Sequence, residues 1–241
     1  MQEYLSRHQE ELPLFLKDNR RISLKAIKEA RIFFYPGAGS DIDAMIPFIK
    51  SKSIHTFILC DYLSRANFPQ AIIRKLALQN YQIVKHTKSK ISSKVEKEYL
   101  EAREERKQRG MIFDEGMEIN KETMIFEQID KNQEGEERFL IIYYKMDGVF
   151  LYKLLFNDYK LNLDTLVVQD HGFGANYTSF DNDGLLKKMA DKINIYPRYI
   201  FSLWYQGSSL RAMWDEFSKI DNLTPHIREN GDTRYLFEKR I

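Results

Sequence analysis

Two short apolar runs separated by a glycine-containing break dominate the hydrophobic pattern of the first third of the chain. Ile32–Tyr35 is the first run, and Thr56–Cys60 is the second, which ends on Asp61. Between them the PGAG sequence of residues 36–39 interrupts the apolar pattern, and Ser40 or Asp41 offers a helix N-cap. Short apolar runs bounded by turn residues predict a strand, a glycine turn, a helix and a second strand.

This alternation of extended and helical patterns continues to residue 86. Phe68–Asn80 has apolar residues at helical spacing, and Tyr81–Val84 favours a third strand. The succession predicts a parallel sheet with right-handed crossovers. Residues 87–110 are almost all charged, which indicates a solvated helix. Two further runs, Thr123–Ile129 and Arg138–Lys145, predict a β-hairpin whose second strand is apolar enough to lie inside the sheet.

The rest of the chain alternates in the same way. Its predicted elements are a buried helix at 149–156, a strand at Leu163–Gln169, a helix at 183–190, a strand at Tyr199–Trp204, a helix at Ser208–Ile220 and a last strand at Tyr235–Phe237. We therefore predict a single α/β domain over residues 1–241. It is a three-layer Rossmann-like domain with a mostly parallel central sheet, an N-terminal helical segment at 1–30, and a charged helix and hairpin insertion at 87–137.

Composition narrows the class of protein without naming a reaction. The chain has 241 residues, 43% hydrophobic and 30% charged, which is typical of a globular domain with a buried core. The net charge of +2 gives no overall field that favours nucleic acid as a partner. A single cysteine, Cys60, excludes an intrachain disulfide and fits a cytoplasmic setting. No apolar stretch has the roughly 20 residues of a membrane helix, so we expect no membrane partner.

The first candidate site is the loop after the first strand, together with the acid after the second. Glycines at a strand-to-helix turn allow a ligand to approach the backbone closely, and a helix start favours anions. The separation of Gly39 and Asp61 is close to the ~20 residues at which an acid contacts a ribose in dinucleotide-binding folds. The alternative is a tight turn with a capping aspartate. The candidate ligand-binding residues are Tyr35, Gly37, Ala38, Gly39, Ser40, Asp41 and Asp61.

The second candidate site follows other predicted strand ends. The QDHGFG sequence of residues 169–174 places Asp170 and His171 beside two glycines, where ligands bind in open α/β sheets. These two side chains are candidates for acid–base catalysis, and Asp147 after the hairpin is a third. The alternatives are a polar turn for the first pair and helix capping for Asp147. The histidines form no pair at metal-ligand spacing, so no metal is predicted.

The unit from Arg31 to Asp61 resembles the first half of class I S-adenosylmethionine-dependent methyltransferases. By this resemblance Gly37 and Gly39 face the methionine part of S-adenosylmethionine, and Asp61 contacts its ribose. Where that family usually carries an acid just before the glycines, this chain has Tyr35 and Pro36.

Three functional hypotheses remain open from the sequence. The first is a methyltransferase-like protein that binds S-adenosylmethionine or a related nucleoside, a small-molecule ligand. The second is a non-catalytic Rossmann-like binding or scaffold protein, which Tyr35 and Pro36 favour. The third is a nucleotide-processing enzyme centred on Asp170 and His171.

Overall fold

The computed structural model describes a nine-stranded sheet with helices in its connections. It describes residues 29–36, 38, 42, 45–50, 54–61, 67–108, 119–129, 138–146, 148–155, 165–169, 199–202, 223–227 and 235–239. The strands are β1 (Ile32–Pro36), β2 (Thr56–Cys60), β3 (Tyr81–Lys90), β4 (Asn120–Gln128), β5 (Arg138–Tyr144), β6 (Thr165–Gln169), β7 (Tyr199–Ser202), β8 (Leu223–Ile227) and β9 (Tyr235–Lys239). The helices within these ranges are α1 (Ile46–Lys50), α2 (Phe68–Ala77), α3 (Ser93–Gln108) and α4 (Gly148–Lys153).

The sheet is mixed and its centre is parallel. Its strand order is β3-β4-β5-β2-β1-β6-β7-β9-β8. Five adjacent strands pair in parallel: β5, β2, β1, β6 and β7. Strands β3, β4 and β9 join their neighbours through antiparallel pairing. This confirms an α/β fold whose sheet is parallel at its centre. The β4–β5 pair confirms the predicted hairpin, and β5 lies inside the sheet with a neighbour on each side.

Aromatic side chains fill the core on one face of the sheet. Phe57 of β2 has its ring centroid 5.4 Å from that of Phe33 and 5.6 Å from that of Phe139. Ile72 and Leu76, one helical turn apart on α2, are fully buried in the same cluster. Aromatic pairs at these separations stabilise a core beyond the area that they bury. The Asn67 side chain fixes the start of α2 by accepting a hydrogen bond from the Gln70 N–H.

The residues that alternate with this cluster are buried as well. Phe34 and Cys60 are 0% exposed and Ile58 is 4% exposed, although successive residues of a strand point to opposite faces. Leu151 of α4 is also fully buried, and α4 contacts β1. Burial on both faces is the reason that β1 and β2 appear in the sequence as continuous apolar runs and not as alternating ones.

The third strand differs from its prediction in length and in neighbours. β3 extends to Lys90, beyond the predicted end at Val84, and it pairs with antiparallel β4 and not with β2. Its second half is polar and exposed because β3 lies at the edge of the sheet, where no apolar pattern is required. The prediction of one charged helix over 87–110 was therefore wrong at its start. The helix itself is confirmed as α3, which begins at Ser93.

Most of the later strands agree with the sequence pattern. β6, β7 and β9 lie where strands were predicted, and α4 confirms the buried helix after the hairpin. Strand β8 was not predicted, since Pro225 lies within it; proline is tolerated there because β8 is an edge strand. The helices predicted at 183–190 and 208–220 lie outside the described residues. Residues 1–28 of the predicted N-terminal helical segment also lie outside them. The domain boundaries stay predictions. None of the helices within the described ranges is long and apolar enough to cross a membrane.

Candidate functional site

The carboxyl ends of the five parallel strands meet at one edge of the sheet, which we call the carboxyl edge. In the register of the sheet, Pro36 at the end of β1 is level with Cys60 of β2, and Cys60 is level with Tyr144 of β5. Gln169 ends β6 on the other side of β1. Ligands of open α/β sheets bind outside this edge, so the loops that follow these strands are the places to look for a site.

Ala38, two residues after the end of β1, is hydrogen-bonded to the end of β2. The Ala38 N–H donates to the Cys60 carbonyl with an N···O distance of 3.0 Å, and Ala38 is 3% exposed. One strand further, the Asp61 N–H donates to the Tyr144 carbonyl at 3.2 Å. These two bonds extend the strand ladders past the last residues of β1 and β2. Ala38 and Asp61 are thus brought together at the carboxyl edge.

Asp61 is one of the few buried charged residues in the described part of the chain, at 7% exposure. It follows Leu59 by two positions in an extended segment, which places it on the face that also carries Tyr35 and Tyr143. A carboxylate this deeply buried is costly unless it is hydrogen-bonded or paired. Asp61 does take part in polar interactions, and a carboxylate has capacity for about four hydrogen bonds.

Tyr143 of β5 is the unusual residue of this edge. It is 2% exposed, and its hydroxyl has no hydrogen-bond partner among the residues that the structure describes. Burial raises the pKa of the Tyr143 phenol far above its usual value, and the negative charges of Asp61, Cys60 and Glu122 raise it further, in that order. The phenol therefore stays protonated at physiological pH and presents an unused O–H donor between acidic groups.

Two further polar residues continue from Tyr143 across the outer strands. Glu122 of β4 lies level with Tyr143 in the antiparallel register, and its side chain is 13% exposed. Its Oε2 lies 2.7 Å from Nε2 of His86 on β3. Asp61, Tyr143, Glu122 and His86 thus form a polar row on one face, from β2 to β3. No sequence pattern marks this row, because Tyr143 lies inside an apolar run.

The predicted site residues divide into three groups. Ala38 and Asp61 lie together at the carboxyl edge. Tyr35 is 1% exposed and belongs to the core, with its ring centroid 6.3 Å from that of Phe33 in an edge-on arrangement. The other predicted residues lie outside the described residues: Gly37, Gly39, Ser40, Asp41, Asp147, Asp170 and His171. Along the chain, Asp147 follows Met146 and Asp170 follows Gln169, so both come directly after described segments at this edge.

Metal-ligating side chains do not cluster at this edge in the described part of the chain. Within the described ranges, no group of three or more His, Cys, Asp or Glu side chains converges closely enough to hold a metal ion. The described polar side chains nearest to this edge are a buried carboxylate, that of Asp61, and a buried phenol, that of Tyr143.

Comparisons with known proteins give no relative for this chain: no family model, no curated protein and no solved structure matches it.

Proposed function

We propose that the protein is a three-layer Rossmann-like domain that binds S-adenosylmethionine or a related nucleoside and is methyltransferase-like. Without β3 and β4, the parallel strands run β5-β2-β1-β6-β7, which is third, second, first, fourth and fifth in chain order. This is the order of doubly wound nucleotide-binding sheets, in which the ligand lies where the order reverses, beside the first strand. Burial on both faces of the sheet supports the three layers.

The end of the sheet adds to the resemblance to class I methyltransferases. Strand β9 is antiparallel to both of its neighbours and is inserted between β7 and β8. A last strand inserted in this way is also a feature of the methyltransferase family. The extra strands β3 and β4 are then an addition outside the parallel core.

The observation that carries the proposal is the buried Asp61 beside the loop that follows β1. The acid follows the strand next to the first strand, and the Ala38–Cys60 hydrogen bond holds Ala38 at the same level. In this position a carboxylate accepts hydrogen bonds from ribose hydroxyls while the loop backbone approaches the ligand. S-adenosylmethionine supplies an activated methyl group when bound. The protein's part is to hold it in line with a nucleophile. Asp147, Asp170 and His171 are proposed to face the reacting end, and His171 or Asp170 to take up a proton.

A non-catalytic binding protein is the second candidate, and the position of Tyr35 favours it. Tyr35 is packed into the core against Phe33, so the end of β1 supplies no carboxylate to a ligand. A protein that kept the fold without the family's acid at this position would bind a nucleoside and transfer no methyl group. The nucleotide-processing enzyme centred on Asp170 and His171 stays a third proposal.

Calorimetric titration with S-adenosylmethionine and S-adenosylhomocysteine tests the proposal. We expect both to bind and Asp61→Ala to weaken binding by more than about tenfold, because hydrogen bonds from ribose to a buried charge are lost. Glu101→Ala is the matched control, since Glu101 is an exposed acid of α3. Heat from neither compound, together with binding of a phosphate-bearing nucleotide, would overturn the proposal. Unchanged affinity in Asp61→Ala would remove Asp61 from the site.

A further inference from the structure

The hydroxyl of Tyr143, which has no hydrogen-bond partner among the described residues, bears on which ligand the site selects. Tyr143 is 2% exposed, and in the described part of the chain no group accepts or donates a hydrogen bond at its oxygen. Burying a hydroxyl without a partner is unfavourable, and such groups in native structures call for a specific explanation. Phenylalanine would fill the same core position without this cost, so the hydroxyl itself has a use.

The surroundings of the hydroxyl are acidic. It lies at the carboxyl edge on the same face as Asp61, one strand away, and it is level with Glu122 on its other side. Glu122 already contacts His86 at 2.7 Å. The negative charges of Asp61 and Glu122 are close enough to raise the pKa of the Tyr143 phenol, which keeps the O–H donor intact. Neither carboxylate accepts a hydrogen bond from the phenol, so its O–H donor is not used by the two acids nearest to it.

The hydrogen-bonding capacities of these groups define what fits between Tyr143 and Asp61. The phenol offers a donor, whereas the carboxylate only accepts. A bridging group must therefore accept one hydrogen bond and donate another. An alcohol hydroxyl does both. An ammonium group has no acceptor for the phenol, and a phosphate or carboxylate has no donor for Asp61 and is repelled by both acids.

We propose that Tyr143 is a specificity-determining residue that holds a ribose hydroxyl of the nucleoside jointly with Asp61. This inference rests on the proposed nucleoside-binding function and adds to it a residue and a selection rule. Tyr143 donates to the hydroxyl oxygen, and the hydroxyl donates to the Asp61 carboxylate. The site then distinguishes a ribonucleoside from the corresponding deoxynucleoside, because the deoxy analogue leaves both the phenol and the carboxylate without that partner.

The test compares adenosine, 2′-deoxyadenosine and 3′-deoxyadenosine on the full-length protein and on Tyr143→Phe. For the unmodified protein we expect adenosine to bind about tenfold more tightly than one of the two deoxy analogues. Tyr143→Phe should weaken adenosine binding by a similar factor and leave the affinity for that analogue nearly unchanged. The preference for the ribose hydroxyl then largely disappears. This loss of selectivity is a result that a merely structural role of Tyr143 would not give.

The possible outcomes separate this inference from the function on which it rests. Binding of adenosine with the same selectivity in Tyr143→Phe as in the unmodified protein overturns the role of Tyr143 and leaves nucleoside binding standing. Equal affinities of the unmodified protein for all three compounds also overturn it. If none of the three nucleosides binds, the role of Tyr143 is overturned, whereas the titration with S-adenosylmethionine and S-adenosylhomocysteine decides the function on which it rests. Thermal melting of Tyr143→Phe checks that the variant is folded, and Tyr199→Phe serves as a second buried tyrosine whose selectivity should not change.

Discussion

The hydroxyl of Tyr199 donates a hydrogen bond to the Glu29 carboxylate, with 2.5 Å between the two oxygens. Tyr199 is the first residue of β7 and is fully buried, while Glu29 lies just before β1. The bond therefore connects the two halves of the chain at the amino ends of the strands, on the side of the sheet away from the carboxyl edge. It is a structural use of a buried phenol, in contrast to the unpaired Tyr143.

Tyr199→Phe should destabilise the fold by about 1.5–3 kcal/mol, because a hydrogen bond to a charged group is lost and the carboxylate loses a partner. Urea unfolding followed by circular dichroism measures the change. Glu29→Gln retains an acceptor for the hydroxyl and should cost less. Equal stability of Tyr199→Phe and the unmodified protein would contradict the assigned bond.

Tyr143→Phe should leave the stability of the ligand-free protein unchanged or raise it by about 1 kcal/mol. The substitution removes a buried hydroxyl that has no partner among the described residues, so the desolvation cost is relieved and none of the described hydrogen bonds is broken. The measurement is the same urea titration, with Tyr199→Phe alongside. A loss as large as that of Tyr199→Phe would mean that the Tyr143 hydroxyl is already satisfied within the fold.

The raised pKa of Tyr143 predicts a loss of stability at alkaline pH. Above about pH 10 the unfolded chain releases the phenol proton, whereas the folded protein retains it. The unfolded state then binds fewer protons, so the free energy of unfolding falls as pH rises, by about 1.4 kcal/mol per pH unit for this group. Below about pH 10 both states keep the proton, so Tyr143 makes no contribution to the pH dependence of the free energy of unfolding. Unfolding titrations from pH 9 to 11 should show a shallower decline in Tyr143→Phe; identical slopes would refute the raised pKa.

The ion pair between Arg138 and Glu127 joins the strands of the hairpin, and its two ends differ in burial. Arg138 Nε lies 3.2 Å from Glu127 Oε2, with the arginine 59% and the glutamate 6% exposed. Arg138→Gln should cost about 1–3 kcal/mol because it weakens the pairing of a buried carboxylate. Lys94→Gln breaks an exposed pair on α3 with a 3.9 Å separation and should cost no more than about 0.5 kcal/mol. Similar losses in the two variants would argue against a buried role for Glu127.

The central strands were predictable from sequence because their environment leaves a local signature. β1 and β2 are buried on both faces, so their apolar residues are continuous and bounded by turn residues. β3 and β8 carry no such signature. Both lie at sheet edges, where Lys85–Lys90 and Pro225 are acceptable. The neighbours of β3 in the sheet could not be predicted from sequence either, because strand order depends on pairing between segments that are distant along the chain.

The candidate site was predictable only in part, for a related reason. Asp61 stands out as the first polar residue after an apolar strand. Tyr143 does not, because an unpaired hydroxyl is a property of what surrounds the side chain in three dimensions. Glu122 is brought level with it by the register of the hairpin, and no periodicity of the sequence encodes that register by itself.

The strand order also has a consequence for how the chain folds during synthesis. One side of the sheet consists of β3, β4, β5, β2 and β1, which all come from residues before 145. The other side consists of β6, β7, β9 and β8, which come from residues after 164. The first half-sheet ends on β1, whose partner strand begins at Thr165. At ribosomal rates of about 5–20 residues per second, β1 is complete for several seconds before β6 emerges. During that interval we expect β1 to present unpaired backbone N–H and C=O groups, together with the side chain of Phe34, at the edge of the half-sheet. We therefore expect aggregation of this chain to be favoured at the stage of the nascent half-sheet.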